Sequence, residues 1–163
     1  MKYHLPLVCL LPLAVSAFGQ TKMTATMDCG KPEQTHAIPV PDRAGYAFEI
    51  SQTKCSYTKS FGIEGLDAKT FASVGFNEVT GSIIRGIFSG VTTFTNGDKS
   101  FARGSVTADA SNSPGKWSFT GGTGKLRGIK GGGTYTCKLK GSGPDSGSAC
   151  EIEGAYTLPV AKK

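Results

Sequence analysis

The chain has 163 residues, 18 Lys and Arg against 12 Asp and Glu for a net charge of +6, 23 glycines and 38% hydrophobic residues. That length supports one domain with one sizeable core. The charges are scattered, with no run of like charges and no basic cluster interleaved with aromatics, which argues against specific nucleic-acid binding.

The chain begins MKYHLPLVCLLPLAVSAFGQ. Lys2 supplies a positive start, residues 5–14 are apolar, and small residues follow, which is the pattern of a secretory signal peptide. Cleavage fits after Ala17 or after Gly19; the second gives a leader over 1–19 and a single domain over 20–163. The apolar run is short for a bilayer span and no second one follows, so no stable membrane insertion is expected. The expected location is secreted or periplasmic. Cys9 leaves with the leader, and Cys29, Cys55, Cys137 and Cys150 remain, an even set that in an exported chain predicts two disulfides. There is no C-x-x-C pair, and His36 is the one histidine beyond the leader, so neither a metal site nor a cofactor is expected.

Apolar residues then recur at period two, the signal of half-buried strands. Met23, Ala25 and Met27 alternate with Thr24, Thr26 and Asp28 in the first strand. Pro32, Pro39 and Pro41 are expected to exclude regular structure from 30 to 44. A second strand is predicted over 46–57, and others near 72–80, 83–95, 98–109, 115–121, 129–140 and 147–158. About eight antiparallel strands with frequent turns make an all-β barrel the expected fold.

Two hairpins are readable in detail. Asn96-Gly97 lies between β-rich runs, a strong hairpin signal. A two-residue or a four-residue loop gives the same faces: Ile83, Ile87, Val91, Ala102, Val106 and Ala108 with Arg85 on one, Phe88, Phe94 and Phe101 with Arg103 on the other. In the last hairpin, setting Cys137 opposite Cys150 pairs Leu139 with Ser148, Tyr135 with Ile152, Gly133 with Gly154 and Gly131 with Tyr156. Ser142-Gly143-Pro144-Asp145 is then the turn. That register keeps one face apolar, so Cys137–Cys150 is predicted, and Cys29–Cys55 by elimination.

The run Gly121-Gly122-Thr123-Gly124-Lys125 invites comparison with a phosphate loop. A Walker motif would need glycine where Phe119 stands and a hydroxyl where Leu126 stands. A dinucleotide fingerprint would need glycine at Arg127 and a helix after it, whereas Gly131, Gly132 and Gly133 follow. The run is expected instead to be a corner, with Leu126 and Ile129 returning to the core.

These residues carry a family likeness. W-x-F-T-G-G-T-G-K-L-R-G-I-K-G over 117–131, with F-T-N-G-D at 94–98, resembles the allene oxide cyclase and dirigent proteins, most clearly over 83–135. Taken whole, the chain looks most like small exported bacterial proteins with that barrel. The resemblance implies an eight-stranded antiparallel barrel related to the lipocalins. Lys22 to Asp28 lacks the Glu/Asn pair of the cyclases, and no acidic Asp-Asp-Pro segment is present, so no catalytic residue carries over. Both families tend to form trimers; the contacts are not legible here, and oligomeric state stays open.

Side chains with chemistry are few. Glu151 and Glu153 are expected on a solvated face, and Glu49 is expected to be exposed. Phe88, Phe94, Phe101 and Arg103 would line a ligand pocket; Arg85 falls on the opposite face, so a closed barrel must enclose one of the two arginines. The expected function is an exported barrel holding a small apolar or amphiphilic molecule, anchored by an arginine. The alternatives are a cofactor-free isomerase or cyclase, and a filled-core interaction protein.

Overall fold

Residues 19–109, 111–141 and 146–159 are described by a computed structural model. All of the expected leader except Gly19 lies outside these residues, as does the predicted turn Ser142–Asp145. Among the described residues, strong period-two patterning and the lack of helical periodicity leave only strands and one short 3-10 turn. The strands are β1 (Thr21–Cys29), β2 (Gln34–Pro39), β3 (Tyr46–Lys59), β4 (Gly62–Ile63), β5 (Leu66–Thr80), β6 (Ile83–Phe94), β7 (Lys99–Ala108), β8 (Asn112–Gly122), β9 (Lys130–Leu139) and β10 (Ser148–Thr157).

Eight of them close into an antiparallel barrel. The sheet runs β3-β1-β10-β9-β8-β7-β6-β5, and β5 pairs back onto β3. Closure removes the edges that an open sheet of this size would expose. β2 stands outside the ring. It continues the line of β1 along the same edge of β3, from Gln34 opposite Gln52 to Pro39 opposite Ala47. The stretch 30–44, expected to be irregular, therefore holds a strand. Proline is tolerated there because β2 is an edge strand with one free side, and Pro39 is its last residue.

One end of the barrel is plugged. The segment joining β3 to β5 folds inward, burying Phe61, Ile63 and Leu66. Phe61 packs edge-on against Phe94, ring centroids 5.6 Å apart. The glycine run does turn a corner: a 3-10 turn over Gly124–Leu126 drops Leu126 and Ile129 into the same plug, both almost inaccessible to solvent. At the other end lie both disulfides, Cys29–Cys55 and Cys137–Cys150. β9 meets β10 in the predicted register, with Cys137 opposite Cys150 and Gly133 opposite Gly154. The bridges sit side by side on the inner wall, Cys29 Sγ 3.9 Å from Cys150 Sγ.

The β6–β7 hairpin departs from expectation. Phe94 N–H donates to the Asp98 carbonyl and Gly97 N–H to the Phe94 carbonyl, so the loop is three residues, Thr95 to Gly97, with Gly97 at φ 88°. An odd loop shifts β7 by one position relative to a two- or four-residue loop, and a one-residue shift reverses every side chain. Val91 thus pairs with Phe101 rather than Ala102, and Phe88 with Gly104. Phe88, Ala102 and Val106 face inward; Arg85, Ile87, Phe101 and Arg103 face outward.

Candidate functional site: the barrel interior

The inward face of the strands encloses a cavity of about 240 Å³. Its walls carry Met23, Phe71, Phe88, Trp117, Phe119 and Ile152, and the four cysteines of the two disulfides. The interior stays open because its aromatic rings lie along the wall. Phe71 lies over Gly90, Phe88 over Gly104, Tyr135 over Gly115 and Trp117 over Gly154, and a Cβ at any of these glycines would overlap the ring. Glycine in a strand commonly marks such a close approach. The abundance of glycine, legible in the sequence as turn material, here serves the cavity.

Polar groups collect on β3, β5 and β6. Asn77 is buried, and its Nδ2 donates to Glu49 Oε1 and to Ser51 Oγ, each at 3.3 Å. Glu49, expected to be exposed, is half-buried because β3 turns it to the inner face beside Asn77. Thr53 and Ser73 line the cavity near them. Deeper in, the hydroxyls of Tyr57 and Thr92 are 3.1 Å apart. Burial pushes the Tyr57 phenol up to about 12, with the Thr92 hydrogen bond acting the other way. Burial likewise pushes Tyr135 up to about 12, and its hydroxyl donates to the Ser105 carbonyl at 3.2 Å. Both phenols are therefore neutral at any physiological pH.

The structure separates the predicted pocket residues. Phe88 lines the cavity. Phe94 is sealed in the plug, 1% exposed. Phe101 faces outward, half-buried, and Arg85 and Arg103 lie exposed on the outer surface. The expectation that a closed barrel must enclose one arginine fails because it placed Arg85 and Arg103 on opposite faces; the odd loop puts both on the same, outer face. Among the described residues no Lys or Arg lines the cavity. Glu151 and Glu153 are on the solvated face, as expected. Ser51, Thr53, Tyr57, Phe71, Ser73 and Asn77 were missed as cavity residues. The alternation of small polar residues on β3 with Phe48 and Ile50 was the available signal, but the hydrophobic side was the natural choice for the interior.

The corner also has an internal explanation. Lys125 N–H donates to Asp98 Oδ2 at 3.0 Å, and Lys99 N–H to Thr123 Oγ1 at 2.8 Å. The backbone donor that a phosphate would take is held by the protein's own carboxylate. The Asn96 amide first, and then the Lys125 N–H, hold the Asp98 carboxyl below its usual range.

No protein-family model matches the chain, and no curated protein is significantly similar to it. Among solved structures, the pterocarpan synthase dirigent protein GePTS1 matches with a TM-score of 0.44 and 11% identity, over 98% of this chain and 100% of that one.

Proposed function

We propose that the barrel is an exported container for one small, mostly apolar, uncharged molecule. The observation that carries this is the cavity itself, apolar over most of its wall and held open by ring-over-glycine packing. Its volume of about 240 Å³ equals that of some eight waters at ~30 Å³ each, just below the ~300 Å³ where drug-sized sites begin, so the occupant is about the size of a single substituted ring. An anionic head group is disfavoured, because an unpaired charge in an apolar interior carries a large desolvation penalty and, among the described residues, no cation lines the wall. Two disulfides support an oxidising compartment.

The test is a thermal-shift panel of small neutral aromatics, terpenoid-sized hydrocarbons and the matching carboxylates, with native mass spectrometry of protein taken from its source. A ligand that binds only the folded state raises the melting temperature. Neutral compounds should raise it and the carboxylates should not; no shift with any compound, and no co-purifying mass, would refute the reading.

A second reading, a cofactor-free isomerase, is favoured by Glu49, an inward carboxylate 3.3 Å from Asn77 Nδ2. It requires that a bound compound turn over, and that Glu49→Gln abolish turnover while leaving affinity intact.

A further inference from the structure

Resting on the container reading, we propose that the β3–β5 wall of the cavity selects a neutral alcohol, which donates its hydroxyl to Asn77 Oδ1 and turns its apolar part toward the aromatic rings opposite. In the closed ring, β8 and β9 stand diametrically opposite β3 and β5. The first pair lines the cavity with Trp117, Phe119 and Tyr135, and the second with Ser51, Thr53, Ser73 and Asn77. Thr53 faces Ser73 across the two strands, Ser51 faces Gly75, and Asn77 follows on the same inner face opposite Glu49. Tyr57 and Phe71, on the same strands, pack against the plug. Beyond them the cavity is two-sided, aromatic on one wall and hydrogen-bonding on the other.

The hydroxyls of Ser51, Thr53 and Ser73 are on half-buried residues, and among the described residues none donates to a protein acceptor. Ser113 on β8 adds another of the same kind. A hydroxyl rotates to meet a donor or an acceptor, so these groups favour an oxygenated occupant without specifying its kind. Asn77 is the fixed group. Its Nδ2 donates to Glu49 Oε1 and to Ser51 Oγ, each at 3.3 Å, and a carboxylate only accepts, so the orientation of the amide is set. Oδ1 therefore turns the other way, over Gly86 on β6, where a Cβ would overlap it. Asn77 is only 9% exposed, yet among the described residues no protein donor engages Oδ1. Nor is the atom closed off: the sealed side-chain atom without a partner is Trp117 Nε1. An occupant that fills the cavity excludes water from this wall, and a buried acceptor left unpaired is costly. A ligand hydroxyl satisfies Oδ1, whereas a ketone or a hydrocarbon of the same shape has no proton to give it.

The experiment titrates the wild-type protein calorimetrically with α-methylbenzyl alcohol, acetophenone and cumene, which match in shape and differ in what the oxygen offers. Sealing unpaired polar groups costs enough to change affinity about tenfold, so the alcohol should bind about tenfold more tightly than cumene. It should also bind several-fold more tightly than acetophenone, which accepts but cannot donate. In Asn77→Ala the preference for the alcohol over acetophenone should fall to near one. In the double variant Thr53→Val, Ser73→Ala the preference for the alcohol over cumene should shrink. Each variant is read as a ratio of two affinities on the same protein, so a loss of folded protein cancels, and the wild-type order needs no variant at all. Equal wild-type affinity for all three, acetophenone binding as tightly as the alcohol, or an alcohol-over-ketone preference that survives in Asn77→Ala overturns the assignment and leaves the container reading standing. Binding of none of the three, nor of any compound in the panel, overturns both.

Discussion

Asp98 shows how one side chain can decide what a glycine-rich run does. Its carboxylate accepts from the Asn96 amide and from the Lys125 N–H, tying the β6–β7 loop to the corner after β8. Gly124 sits at φ 51°, and a Cβ there would also overlap the Asp98 carboxylate. Gly124→Val is therefore expected to cost about 2–4 kcal/mol from left-handed strain plus overlap. Lys125→Ala should change stability by less than about 0.5 kcal/mol, since the exposed side chain is not what holds the corner. Urea unfolding of both variants checks this pair; a severe loss in Lys125→Ala would show that the side chain matters after all.

Among the elements, the ring-over-glycine pairs make a separable prediction. At Gly90 an added Cβ would meet chiefly the far end of the Phe71 ring, with the Ala72 carbonyl at 3.4 Å. The ring can swing away, and the space available to it is the cavity. Gly90→Ala should therefore fold, with a melting temperature within a few degrees of wild type, and bind the neutral panel compounds several-fold more weakly. Gly133→Ala is the contrast: its Cβ would overlap the Glu153 carbonyl on the neighbouring strand, which cannot swing aside, so that variant should fail to fold stably. Unchanged affinity in folded Gly90→Ala would mean that Phe71 moves somewhere other than into the cavity.

For the whole molecule two partly buried phenols set the alkaline limit. Tyr57 and Tyr135 stand at about 12 in the folded protein, whereas an exposed tyrosine titrates near 10. Folded-state values above the unfolded ones give stability that is complete below pH ~10 and is lost as pH rises toward ~12, because the unfolded chain releases its protons first. Two units at ~1.4 kcal/mol each put the loss from Tyr57 at about 2–3 kcal/mol. Chemical unfolding at pH 8 and at pH 11.5 should show the drop, and Tyr57→Phe should lose less stability between the two.

The sequence by itself determined the barrel, the strand alternation of β1, the register of β9 on β10 with both disulfides, and the corner that returns Leu126 and Ile129 to the plug. These follow from local period-two patterning and from covalent pairing, which neighbouring residues carry. The inside of the barrel was another matter. Which face of β6 and β7 points inward depended on the Thr95–Gly97 loop having three residues rather than the two or four read from its turn chemistry, a one-residue difference that reverses every side chain. Phe48, Ile50, Phe76 and Ile87 look like core residues yet lie on the outer surface, Ile87 at 63% exposure. Glu49, Ser51, Thr53 and Ser73 look like surface residues and face the interior. Only closure of β5 onto β3 assigns those faces, because inside and outside exist for a strand only once the sheet has curved shut.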